Sequence, residues 1–141
     1  MVHALDEIRR VLVPDGIMID LRPLQDRWPI EVASGRGVWE TGRVQDFPSL
    51  LADDQAANQA MARAAEKGWF SREREEIFPY YYSWDTPGEM EAWVETEWQD
   101  FIAIDEEARR ATRSVWSQAD ADARVRIKAR ILITRWRVIK G

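Results

Sequence analysis

Two pairs of adjacent carboxylates, Asp53-Asp54 and Glu106-Glu107, are the side chains best suited to acid–base chemistry in this sequence. A working pair needs surroundings that drive its two pKa values apart, so that one group donates a proton while the other accepts. Both pairs instead fall early in helical stretches, where negative charge offsets the helix macrodipole. Helix stabilisation therefore accounts for them, and neither is assigned to catalysis. The chain has no cysteine, which excludes disulfides, thiol nucleophiles and thiolate-held metals and is compatible with a reducing cytoplasm, the expected location. Its single histidine, His3, lies close to the N-terminus, so polyhistidine metal sites and a buried-histidine triad are not expected.

The 141 residues suit one domain with its own core. A hydrophobic content of 45% argues against disorder. The net charge of −5 gives no general attraction to nucleic acid or to anionic membrane. No apolar run approaches the ~20 residues of a membrane span, and no charged-then-apolar leader precedes the first helical stretch. Eight tryptophans are read mainly as large core fillers.

Apolar residues Leu5, Ile8 and Leu12 recur at helical spacing over residues 3–13, and Pro14-Asp15-Gly16 ends that helix. Residues 17–21 (Ile17, Met18, Ile19, Asp20, Leu21) form a short apolar strand that should be covered on both faces and closed by Pro23. Residues 30–45 should be a hairpin around Gly35-Arg36-Gly37. An alanine-rich helix over 49–67 stops at Gly68. Residues 73–84 read as a strand, and Pro79 within it requires an edge position or a bulge. Thr86-Pro87-Gly88-Glu89 has the form of a capping box, with Met90, Trp93, Val94, Trp98 and Phe101 as the buried stripe that follows. A further helix over 106–117, capped by Asp105, turns Ala108, Ala111, Val115 and Trp116 inward. The chain ends in strict alternation, with Val125, Ile127, Ala129, Ile131 and Ile133 on one face and Arg124, Arg126, Lys128 and Arg130 on the other.

Charge is segregated along the chain. Residues 73–107 hold twelve acidic residues and one basic one, whereas residues 123–141 hold seven basic and none acidic. Antiparallel pairing of the two strands, with Glu73, Glu75 and Glu76 facing arginines, explains this distribution. A nucleic-acid surface on the basic strand 124–130 is the weaker alternative, because such a binder usually carries net positive charge.

The opening stretch "ALDEIRRVLVPDGIMIDLRP" resembles the segment leading into the fifth strand of class I S-adenosylmethionine-dependent methyltransferases. Arg10, Val11, Leu12, Pro14 and Gly16 match that family's pattern, and Asp15 stands where glycine is common. The later elements resemble the family's last helix, sixth strand, an inserted helical pair and seventh strand. The resemblance implies an α+β fold: one domain over 1–141 with a three-stranded, mainly antiparallel sheet in the order 17–21, 125–139, 72–82. The hairpin 30–45 and the helical segment 87–117 would be insertions. It also implies the C-terminal half of a Rossmann-like enzyme without its cofactor-binding front half. The glycine-rich turn and the ribose-binding acid of that half have no counterpart here, and Gly35 and Gly37 belong to a hairpin. No S-adenosylmethionine site is therefore expected in the chain alone. The expected role is a non-catalytic interaction or assembly module, pairing through the open edge of 17–21 with a second copy or with a front-half protein. As the half of a split methyltransferase, the chain would place Arg22 and Trp28 on the substrate side, beyond the strand end.

Overall fold

In the computed structural model, which describes residues 2–140, local signals account for most of the elements. Four helices, α1 (Val2–Val11), α2 (Pro48–Glu66), α3 (Pro87–Glu97) and α4 (Glu106–Gln118), accompany seven strands. These are β1 (Ile17–Leu24), β2 (Pro29–Ser34), β3 (Gly37–Arg43), β4 (Gln45–Asp46), β5 (Phe70–Trp84), β6 (Ile102–Ala103) and β7 (Arg124–Val138). The fold is α+β with a mostly antiparallel sheet. Hydrogen-bonded neighbours run β1-β7-β2-β3, β5 pairs with β7, and β4 and β6 form a separate two-stranded sheet. The expected order, with the final strand between the first and the 72–82 strand, holds. The strand count does not: the hairpin 30–45 joins the sheet, giving five strands where three were expected. The reason is the length of β7, whose N-terminal half takes β2 as a partner with Ile30 opposite Ile127 and Val32 opposite Val125.

The chain divides into two compact units. The first comprises residues 1–24, 52–78 and 131–141, and the second 25–51 and 79–130, which holds both expected insertions.

In the first unit, α1 ends in a turn where Asp15 takes φ 61° and the Gly16 amide donates to the Val13 carbonyl at 2.9 Å. Aspartate tolerates this left-handed position. A side chain at Gly16 would meet the Val13 oxygen at 2.8 Å, so glycine is needed there. Helix α2 stops in a Schellman motif: Gly68 has φ 69°, its amide donates to Ala65, and the Trp69 amide reaches back to Ala64. The chain then turns into β5, and Phe70 is buried with Leu5, Ala60, Met61, Ala64, Trp136 and Val138. Strand β5 runs antiparallel to β7, with Glu73 paired to Arg135 and Arg137 and Glu75 accepting from Thr134. The expected cross-strand charge pairing thus holds for Glu73, whereas Glu76 pairs with Arg74 on its own strand.

In the second unit, β2 and β3 form a hairpin in which Ser34 faces Gly37, so Gly35-Arg36 is the turn. A bulge at Thr41 lets its hydroxyl lie 2.6 Å from that of buried Thr112 on α4, which itself donates to the Ala108 carbonyl. Helix α3 opens as expected, the Glu89 amide donating to Thr86 Oγ1 at 3.2 Å. The reciprocal bond lands one residue early, on the Asp85 amide.

Three packing expectations are corrected. On α3 the buried stripe is Pro87, Met90, Glu91 and Val94, which leaves Trp93 exposed on its flank, and Phe101 is exposed because the helix ends at Glu97 and helical spacing no longer governs it. On β7, Val125, Ile127 and Ala129 are buried as expected, but the buried parity then changes to Leu132, Thr134, Trp136 and Val138. Ile131 and Ile133 therefore leave the expected face. Finally, α2 begins at Pro48 with no acidic residue in its first turn, so Asp53 and Asp54 stand further inside the helix than a dipole contact requires.

Candidate interaction site on the first strand

Val138 at the end of β7 donates its amide to the Gly16 carbonyl at 2.8 Å, just ahead of β1. Because residue 16 meets the C-terminal end of β7 and residues 30–33 pair antiparallel with its N-terminal end, β1 runs antiparallel to β7, and regular alternation from Gly16 turns the even-numbered backbone groups of β1 toward it. The odd-numbered groups, those of Ile17, Ile19, Leu21 and Pro23, face away from β7. Strand β1 has no second hydrogen-bonded neighbour among the described residues. This geometry explains why β1 continues through Pro23 to Leu24 although closure at Pro23 was expected: the missing amide falls on the open side.

Side-chain burial on β1 also differs from expectation. Met18, Asp20 and Arg22 face inward, toward α1 and α2, whereas Ile19 is 55% exposed and Leu21 59% exposed. Only one face of the strand is covered. Val11 and Val13, just before it in the chain, are exposed at 65% and 68%. The covered face borders a groove of about 280 Å³ lined by residues that include Leu5, Ile8, Met18, Asp20, Arg22 and Met61.

Asp20 and Arg22 form the polar centre of that groove. Arg22 Nη1 donates to Asn58 Oδ1 at 2.9 Å. Arg22 Nε lies 3.1 Å from Asp20 Oδ1, within ion-pair distance, yet neither Nε nor Asp20 Oδ2 makes a hydrogen bond. The Asp20 side chain is only 15% exposed. A carboxylate oxygen largely withdrawn from water and without a donor is uncommon and calls for a partner.

Trp28 lies in the second unit, apart from Arg22 in the division of the chain. It is buried, and its ring stands edge-on to Trp98 at 6.2 Å. Trp98 also packs edge-on against Tyr82 at 4.7 Å and Trp84 at 6.2 Å, and Tyr80 contacts Tyr82 at 5.0 Å. Burial pushes the Tyr82 phenol above its ordinary value, and neighbouring Tyr80 adds to the shift. Because folding favours the neutral phenol, this contribution to stability is complete below the ordinary tyrosine pKa of about 10 and is lost as pH rises through the folded value. Spectroscopic alkaline titration of Tyr82→Phe is expected to lack an ionisation step lying above that ordinary value; a titration curve unchanged in that region would contradict the assignment.

The arginines of the basic stretch are engaged by carboxylates. Arg124 lies 3.2 Å from Asp85 and Arg126 2.8 Å from Glu31, with the Arg126 guanidinium also 4.2 Å from the Tyr81 ring centroid. Arg130 pairs with Asp26. Glu106 and Glu107 occupy the first turn of α4, where Glu106 also pairs with Arg110. His3 is exposed on α1. No group of three metal-ligating side chains comes together, and no helix is long and apolar enough to cross a membrane, among the described residues.

Comparison with known protein families, curated proteins and solved structures returns no match to this chain.

Proposed function

We propose that the chain is a non-catalytic interaction or assembly module, similar to the rear part of a class I methyltransferase, whose adhesive element is β1. The observation carrying this reading is the open edge of β1 together with its uncovered apolar face at Ile19 and Leu21. An apolar edge strand accepts another strand, and β1 carries the usual guards, Pro23 and the inward-pointing Asp20 and Arg22, in an arrangement that a matched partner can satisfy. Among the described residues no glycine-rich turn leads from a buried strand into a helix, the element that would bring backbone close to a nucleoside cofactor. Methyl transfer depends on holding donor and acceptor close and in line, which such an element makes possible.

Two measurements on the purified chain test the reading. Calorimetric titration with S-adenosylmethionine is expected to show no binding, and micromolar affinity would overturn it. Light scattering is expected to show a mass that rises with concentration, with the rise abolished in Leu21→Arg. Association that survives this substitution would remove β1 as the adhesive element.

A second reading is favoured by the run of exposed apolar groups at Val11, Val13, Ile19 and Leu21. A strand and helix supplied by a front-half polypeptide would cover both the edge and the outer face, reconstituting a methyltransferase from two chains. Cofactor binding by the mixture, absent from either chain alone, is the result that reading requires.

A further inference from the structure

We propose that the occupant of the open β1 edge is β1 of a second copy, running antiparallel and centred on Leu21. The inference rests on the reading of β1 as the adhesive element and names its partner. Asp20 and Arg22 carry opposite charges and stand one residue either side of Leu21. An antiparallel partner centred on Leu21 therefore places Asp20 opposite Arg22 of the second copy, and Arg22 opposite its Asp20. The strand is self-complementary, as a two-fold interface requires.

Backbone parity agrees with this register. Because the odd-numbered groups face the open side, the two Leu21 residues exchange amide–carbonyl bonds across the two-fold axis. Ile19 donates its amide to the Pro23 carbonyl of the second copy, the amide that proline lacks leaves the Ile19 carbonyl unpaired, and Ile17 falls opposite residue 25, one position past the end of the partner strand. Asp20 and Arg22 then fall at the closer, non-hydrogen-bonded pairing, about 4.5 Å between Cα atoms. That brings the side chain of Arg22 from the second copy opposite Asp20, whose Oδ2 lacks a donor in the single chain, and the new pair would replace the contact that Arg22 makes with Asn58. On the outer face Leu21 meets Leu21, and Ile19 meets Pro23, so side chains exposed in one copy cover each other in two.

Charge complementation between variants tests the register. Asp20→Lys leaves two cations on the inner face of β1, and Arg22→Glu leaves two anions. Each variant alone is expected to self-associate roughly tenfold or more weakly than the wild type, because like charges then oppose each other across the axis. An equimolar mixture is expected to recover association as a one-to-one heterodimer. The pair within each chain is broken in both variants, so recovery reports only inter-chain contacts, and circular dichroism of each variant checks that it is folded. In a chain without cysteine, Leu21→Cys introduces the sole thiol. Oxidation is expected to link it to its counterpart, since the paired Cα atoms would lie about 5.5 Å apart, within disulfide reach. Ile19→Cys is expected to stay unlinked, its counterpart lying about 14 Å away at ~3.4 Å per residue. Wild-type association without complementation, or with equal cross-linking at both positions, would overturn this register while leaving β1 as the adhesive element. A wild-type chain that stays monomeric at every concentration overturns the second copy as the occupant.

Discussion

Phe70→Ala is expected to lower folding stability by about 3–5 kcal/mol, the range for truncating a fully buried phenylalanine. Phe70 is 2% exposed at the first position of β5. It is the only residue of that strand that is buried; the rest are exposed or half-buried. Its neighbours come from α1, α2 and β7, so the ring is a point at which three elements of the first unit meet. Two of those neighbours, Ala60 and Ala64, are small and cannot extend into the void. Leu5 and Met61 could move toward the cavity, whereas Trp136 and Val138 are held on a strand. Urea denaturation followed by tryptophan fluorescence measures the lost stability, and a loss below about 1 kcal/mol would show that the cluster does not organise this unit.

Gly42→Ala is expected to destabilise by about 1–3 kcal/mol through overpacking, although it adds a single methyl group to a strand. A Cβ at this position would lie 2.7 Å from the Ala108 Cβ and 3.2 Å from the Ala108 Cα. The second contact is with backbone, so α4 itself would have to move away from β3. That movement would also pull Thr112 from Thr41, opening a hydrogen bond at a buried threonine. Ala108→Gly alone should cost about 1 kcal/mol from helix propensity. In the double variant the methyl–methyl clash disappears, so the two losses are expected to fall well short of additive. Additive losses in thermal unfolding would place the cause elsewhere than in this seam.

The helix boundaries were legible because their signals are local. Gly68 after an alanine-rich run, and Thr86-Pro87 ahead of Glu89, specify backbone conformations that hold whatever surrounds them. The pairing of β5 with β7 was legible from charge segregation, since Glu73 needed partners and the only dense source of cations was the final strand. The parity change on β7 was not legible. Ile131, Leu132 and Ile133 are consecutive and all apolar, so alternation loses its phase where the change occurs. Buried Thr112 was missed because its sequence shows only a polar residue, and its partner Thr41 is brought to it by a bulge between distant positions. At the candidate site, the openness of the β1 edge followed from topology. The exposure of Ile19 and Leu21 did not, because an apolar strand reads alike whether its faces are covered or bare.

The other strands of the sheet limit how far association can proceed. Strand β5 offers a long margin, but Pro79 interrupts its row of donors and Arg72, Glu73, Arg74, Glu75 and Glu76 charge one half of it. Strand β3 is short and distorted by the bulge at Thr41. Both are devices that discourage further strand addition. Two copies joined through β1 would satisfy its own guards, Pro23 and the Asp20–Arg22 charges, in the two-fold register and would leave only these discouraged margins, so assembly would terminate at the pair and would not propagate into a filament.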